Sequence, residues 1–95
     1  MTITWAVTSS GPRSEQTIIG LGDHPAHART RLAAATAALI ARAGDDEWPC
    51  YTMHLGADLA AIIQTGDDRH GGPDHAATAE LLACLHHDSP DPLTP

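Results

Sequence analysis

A long alanine-rich segment at residues 23–44, DHPAHARTRLAAATAALIARAG, limits the possible folds more than any other stretch of the chain. Its composition favours a helix, for which Asp23 or His24 can serve as the cap, Pro25 suits the first turn, and Gly44 offers a left-handed stop. Apolar residues recur at helical spacing and form one stripe: Ala28, Leu32, Ala35, Leu39 and Ala43, with Ile40 at its edge. Small alanines on that stripe let the predicted helix lie close against a sheet.

Strand patterns flank the predicted helix on both sides. ITWAVTS alternates, with Ile3, Trp5 and Val7 on one face, and we expect Trp5 to belong to the core. SSGPRSE then favours a turn, and QTIIGLG resumes a β-branched pattern, so a β-hairpin is predicted over roughly residues 2–22. After the helix, CYTMHL reads as a third strand.

The C-terminal part of the chain is predicted to be mainly helical. ADLAAIIQTG reads as a short helix, although its Ala/Ile content also suits a strand after a turn at Gly56 and Ala57. A mobile polar loop, TGDDRHGGPDH, precedes a final amphipathic helix, DHAATAELLACLHH. We expect that helix to bury Ala77, Leu81, Cys84 and Leu85. The predicted fold class is therefore α+β: a small antiparallel or mixed sheet made by the hairpin and the third strand, covered mainly on one face, with two further C-terminal helices.

Size and composition predict one small acidic domain. Residues 1–88 form a single domain and residues 89–95 a disordered tail. The chain contains no Phe, so its core is modest, and a homodimer is a natural way to bury more surface. A net charge of −7 disfavours nucleic acid as a partner and favours a protein partner, either a basic one or a second copy.

Several features predict a cytoplasmic, bacterial protein with reduced thiols. Cys50 and Cys84 are not in a CxxC pair, and we expect both to be buried and free. The N-terminal stretch MTITWAVTSSGPR shows no pattern of a secretory signal, and no apolar stretch approaches the length of a membrane span. The lack of Lys, Asn and Phe suggests codons from a GC-rich genome.

Among catalytic and metal-binding patterns, only histidine is enriched. No nucleotide-binding glycine motif and no GxSxG elbow is present, so no catalytic residue and no cofactor is predicted. The weak candidates for a transition-metal site are His24, His27, His86 and His87. Their spacing matches no zinc pattern, and capping or solvated histidines explain them equally well.

From Ile3 to about Gly66 the layout resembles part of the ribonuclease H-like fold: a starting hairpin, an Ala/Leu-rich helix, then a strand passing into a short helix. The chain departs from that family in having two strands before the helix where three are expected. The resemblance implies carboxylates that bind magnesium from the first strand, the first helix and the end of the following strand. ITWAVTS has no acid, the helix carries Arg31 without a Glu, and Asp58 follows the strand end by about two residues. The resemblance therefore implies a catalytically silent version, similar to the partial ribonuclease H folds of HicB-type antitoxins, which bind a protein partner.

The leading functional prediction is a non-catalytic protein-interaction or regulatory module that associates with itself. Trp48, Arg31 and Arg42 are its candidate interaction residues, and Asp58 is expected in the first turn of a helix. One alternative is a divergent metal-dependent nuclease that uses Asp58 with Asp67, Asp68 or Asp74. The other is a transition-metal carrier built on the histidines named above.

Overall fold

Four strands and two helices make up the described part of the chain. The structure is a computed structural model that describes residues 2–12 and 14–88, with residues 86–88 described by their backbone alone. The predicted tail at 89–95 lies outside these residues. The elements in chain order are β1 Ile3–Ser10, β2 Glu15–Gly22, α1 Pro25–Arg42, β3 Cys50–Leu55, β4 Asp58–Gln64 and α2 His75–Asp88. The α+β class, the starting hairpin, the long helix and the third strand are confirmed.

The sheet is antiparallel throughout, in the order β2-β1-β3-β4. Register fixes which side chains share a face, because Val7 pairs with Ile18 on one side and with Met53 on the other. The side chains at these positions point towards the helices, and the intervening ones point to the opposite face of the sheet.

Neither described helix combines the length and hydrophobicity that crossing a membrane requires.

The predicted short helix after the third strand is wrong. Residues 58–64 form β4, which pairs with β3 through a turn at Gly56, whose φ is +63°. Asp58 is therefore the first residue of a strand, opposite Leu55, and does not lie in a helical turn. The pairing satisfies the backbone groups of β3 that β1 leaves free, and it places Ile63 in the core, a gain that a short helix lacking such contacts cannot match.

The hydrophobic core lies between the sheet and both helices. The sheet contributes Trp5, Val7, Tyr51, Met53 and Ile63, and the helices contribute Ala28, Leu32, Leu39, Ile40 and Leu82. Trp5 is thus a core residue, as predicted. Two glycines of β2 permit this packing, since a Cβ at Gly20 would overlap the Trp5 indole and one at Gly22 would overlap the backbone of Ala28.

Helix α1 begins as predicted and ends differently. The side chain of His24 accepts a hydrogen bond from the His27 amide, and Pro25 occupies the first turn. The left-handed stop predicted at Gly44 is wrong, because Ala43 caps the helix in an extended conformation. The amide of Gly44 instead donates to Oε1 of Glu47 at 2.8 Å, which turns the chain towards β3.

Helix α2 exists, but the face predicted to be buried is exposed. Its buried residues are Thr78 and Leu82, which face α1 and β4. The residues predicted to be buried lie on the solvent side: Ala77, Leu81, Cys84 and Leu85. One reason is a polar contact on the inner side of the helix, where His75 Nε2 lies 2.8 Å from the carbonyl oxygen of Gly44.

Both cysteines are free thiols. Cys50 is half-buried and Cys84 is exposed, so their predicted burial is wrong.

Candidate interaction surface on the sheet

One face of the sheet carries neither described helix, because α1 and α2 both pack on the other face. We call this surface the open sheet face. Apart from Ser10, Glu15, Cys50 and Gln64 at one end, the strand register assigns to it ten side chains: Thr4, Ala6, Thr8, Thr17, Ile19, Leu21, Thr52, His54, Leu59 and Ile62. It spans all four strands. Side chains on one face of a sheet are immediate neighbours, so these residues form a continuous surface.

Large aliphatic side chains lie on the two outer strands of the open sheet face. On β2, Ile19 is 68% exposed and Leu21 is 58% exposed; on β4, Leu59 is 55% exposed and Ile62 is 59% exposed. Single exposed aliphatic residues are ordinary, but several on one continuous face are typical of a binding surface.

The two central strands present smaller or polar side chains on the open sheet face. Ala6, Thr8, Thr52 and His54 are half-buried. The Thr8 and Thr17 hydroxyl oxygens lie 3.0 Å apart, which fits a cross-strand hydrogen bond. The centre of the open sheet face therefore carries half-buried, weakly polar side chains, and its two margins carry exposed aliphatic side chains.

The open sheet face is almost free of charge although the chain is strongly acidic. Among the described acidic residues, only Glu15 aligns with this face, at its end opposite Ser10. The next aligned positions on β3 and β4 at that end are Cys50 and Gln64. An electrostatically neutral area of this kind can approach another surface without bringing many like charges together.

The predicted interaction residues lie elsewhere. The indole nitrogen of Trp48 donates to Oδ1 of Asp67 at 2.7 Å, so Trp48 links the loop before β3 to the loop after β4. Its ring is 36% exposed beside a cavity of about 230 Å³. Arg42 lines a neighbouring groove, and Arg31 donates from Nε to Nε2 of His27 at 3.0 Å. None of the three lies on the open sheet face.

The four candidate metal-binding histidines are not shown to converge. His24 Nδ1 accepts the amide of His27, and His27 Nδ1 lies 3.0 Å from the amide nitrogen of Asp23. Only the backbones of His86 and His87 are described. Within residues 2–12 and 14–85, no three His, Cys, Asp or Glu side chains are grouped as a metal ion requires.

The aspartates of the nuclease alternative lie at opposite ends of the sheet. Asp58 begins β4, whereas the other three follow its last residue, and a seven-residue strand is about 20 Å long. Those three already have local partners: Asp67 accepts from Trp48, Asp68 Oδ1 from the His70 and Gly72 amides, and Asp74 Oδ1 from Ala77. Asp74 thus caps α2.

Three buried polar atoms lack hydrogen-bond partners among the described residues: Trp5 Nε1, Tyr51 Oη and His75 Nδ1. Burial raises the pKa of the Tyr51 phenol above its usual 10.0; the Glu47 carboxylate adds to the rise and the Thr65 hydroxyl opposes it. No described group around the Tyr51 hydroxyl has hydrogen-bond geometry, so this hydroxyl is unpaired among the described residues. These atoms lie in the core rather than in a cleft, so they do not define a catalytic site.

The fold and the open sheet face define a two-layer α+β protein with one sheet surface that no described element covers. Comparison with protein-family models, with curated proteins and with solved structures gives no significant match. The resemblance to the ribonuclease H-like fold therefore stays a prediction.

The sequence predicts a sheet covered mainly on one face, but not that aliphatic side chains line the other face, although a signal for them is present. In TIIGLG and in LAAII, apolar residues occupy consecutive positions, so each strand has apolar side chains on both faces. That pattern is typical of strands covered on both sides.

Proposed function

We propose that this protein is a small acidic protein-interaction module without catalytic activity, and that it binds its partner through the open sheet face. The observation that carries the proposal is the set of four aliphatic side chains, each more than half exposed, on a surface with almost no charge. Burying apolar area contributes roughly 25 cal/mol per Å² of favourable free energy, from which the entropic costs of association are subtracted. Specificity would come from shape and from the threonine hydroxyls.

The distribution of acidic groups supports a non-catalytic role. Metal-dependent phosphodiester hydrolysis needs carboxylates that converge within a few ångströms on one or two ions. Here Asp58 is separated from Asp67, Asp68 and Asp74 by the length of β4, and those three accept local hydrogen bonds. A nuclease would respond to its metal, so we expect no change in melting temperature with magnesium or manganese and no cleavage of single-stranded, duplex or hybrid substrates.

The transition-metal alternative has an equally direct test. A real site built on the histidines would bind zinc or nickel with defined stoichiometry and would raise stability by mass action. We expect neither a stoichiometric binding isotherm nor a rise in melting temperature. Saturable binding that is lost when His24 and His27 are replaced by alanine would revive this alternative.

Site-specific photo-crosslinking in cells of the source organism tests the interaction proposal. A photoreactive amino acid is placed at Ile19 or at Ile62, both on the open sheet face. The matched control is Ala34, which is exposed on the outer side of α1. We expect protein adducts from the two face positions and none from Ala34. Adducts that are absent, or that are the same at all three positions, would remove the open sheet face as the binding surface.

A further inference from the structure

We propose that the partner of the open sheet face is a second copy of this chain, packed face to face in a two-fold symmetric dimer. This inference rests on the interaction role proposed above and names its partner. In such an arrangement the two sheets form the inner layers and the helices form the outer layers. Facing sheets pack about 10 Å apart, so side chains of both copies would meet directly.

Charge favours this surface for contact between two copies. Each copy carries a net charge of −7, so two copies repel each other wherever acidic surfaces meet. On the open sheet face, Glu15 is the only described acid, and it lies at the end of β2 rather than at the centre. A dimer through this face therefore keeps most of the described carboxylates outside the interface and hydrated.

The shape of the open sheet face is self-complementary. Its aliphatic side chains occupy both margins, Ile19 and Leu21 on β2 and Leu59 and Ile62 on β4, while the centre is lower. A two-fold axis parallel to the strands places β2 of one copy over β4 of the other; an axis across the strands places each margin over its own equivalent. Either way aliphatic side chains meet aliphatic side chains, as a two-fold interface requires.

The area of the open sheet face is sufficient for a dimer of moderate affinity. Four strands at about 4.8 Å spacing, with six to eight residues at about 3.3 Å each, give a flat footprint of roughly 400–500 Å². Two copies cover about 800–1,000 Å² before side-chain relief is added, which reaches the roughly 1,000 Å² expected of a specific interface. This area is at the lower limit for a specific interface, and the costs of association offset much of the gain from burial, so we expect a dissociation constant on the order of micromolar.

The strongest competing surface is the exposed side of α2. Leu81 is 47% exposed and Leu85 is 41% exposed, and both lie on one side of the helix. This stripe is a single helix wide, about 10 Å, whereas the open sheet face spans four strands. It also serves as an internal control, because it offers two exposed leucines outside the proposed interface.

Sedimentation velocity across a concentration series, from about 1 μM to about 1 mM, separates these surfaces. The test variant is Ile19→Lys/Ile62→Lys, and the matched control is Leu81→Lys/Leu85→Lys. Both change the net charge from −7 to −5, which weakens repulsion between copies equally. We expect the natural chain and the α2 variant to form dimers with similar dissociation constants, and the face variant to bind at least 100-fold more weakly.

A neutral variant and an NMR measurement guard against misfolding as an explanation. Ile19→Thr/Ile62→Thr keeps β-branched residues in both strands and should also weaken the dimer, with an unchanged circular dichroism spectrum. In a mixed sample of labelled and unlabelled chains, isotope-filtered NOEs should connect the two copies through the methyl groups of Ile19, Leu21, Leu59 and Ile62.

Three results would overturn the inference. If the natural chain is monomeric at the highest concentration, only the choice of partner fails, and the crosslinking experiment still decides the interaction role. Loss of the dimer in the α2 variant would place the interface on α2. A dimer that persists in the face variant would indicate pairing along the strand edges. A crosslink from Ile19 to a different protein, combined with a monomeric natural chain, would keep the interaction role and replace the partner.

Discussion

Replacing Tyr51 by Phe should stabilise this protein, which is the reverse of the usual effect of removing a tyrosine hydroxyl. The Tyr51 side chain is fully buried and its hydroxyl has no described hydrogen-bond partner. An unpaired buried polar group costs about 1–3 kcal/mol. We therefore expect Tyr51→Phe to raise the free energy of unfolding at neutral pH by about 1 kcal/mol, at the lower end of that range.

The same residue should make stability depend on alkaline pH. The pKa of Tyr51 is raised above 10.0 in the folded state, mainly by burial and further by Glu47. Above pH 10 the unfolded chain has released the phenolic proton while the folded chain retains it. Stability is therefore fully present below pH 10 and falls by about 1.4 kcal/mol per pH unit until the folded pKa is reached. Tyr51→Phe should abolish this slope.

The composition of the chain makes the titration unusually clean. Tyr51 is the only tyrosine, and there is no lysine whose titration would overlap with it. Urea unfolding at several pH values above 9, with both cysteines replaced by serine in each chain, gives the slope. The near-ultraviolet absorbance of tyrosinate gives the pKa directly. A phenol that titrates at 10 or below in the folded protein, or a loss of stability in Tyr51→Phe at neutral pH, would refute the assignment of an unpaired, desolvated hydroxyl.

Two further predictions concern packing and loop contacts. Gly22→Ala should destabilise the fold by about 1–3 kcal/mol because its Cβ would overlap the first turns of α1, whereas Gly66→Ala, with no heavy atom within 4 Å, should leave urea unfolding unchanged within about 0.5 kcal/mol. Trp48→Phe keeps an aromatic ring but loses the hydrogen bond to Asp67, so it should cost about 1 kcal/mol; equal stability of this variant and the natural chain would show that the bond contributes little.

The sequence predicted those elements whose local pattern agrees with their tertiary surroundings. The hairpin at residues 2–22 and helix α1 have turn residues, caps and periodicity that all indicate the same structure. When local signals agree in this way, the secondary structure of a segment can be predicted from its own sequence, without knowledge of the segments that pack against it. The core position of Trp5 followed from alternation in β1 alone, but the need for Gly20 beneath its indole did not, because that need arises from strand pairing.

Two of the wrong predictions follow from apolar content alone. In α2 the more apolar stripe, with Leu81 and Leu85, was expected to be buried, yet the helix turns Thr78 and Leu82 inwards. A tertiary contact at the start of the helix orients that side, since His75 Nε2 lies 2.8 Å from the carbonyl oxygen of Gly44. Periodicity cannot detect such contacts.

The wrong prediction for residues 58–64 and the unpredicted aliphatic lining of the open sheet face have the same origin. The residues of LAAII are apolar at consecutive positions, which obscures strand alternation and imitates a helix. The same property gives β4 an aliphatic face on each side, so Ile63 fills the core while Ile62 remains on the open sheet face.

Strand β2 repeats this arrangement at the other margin, with Ile18 inside and Ile19 outside. Outer strands normally carry charge to discourage association. Here they carry aliphatic residues, while the protected central strands carry threonine. This inversion is the arrangement expected of a sheet whose second face is covered in the functional state, and it is the reason we place the partner there rather than at Trp48.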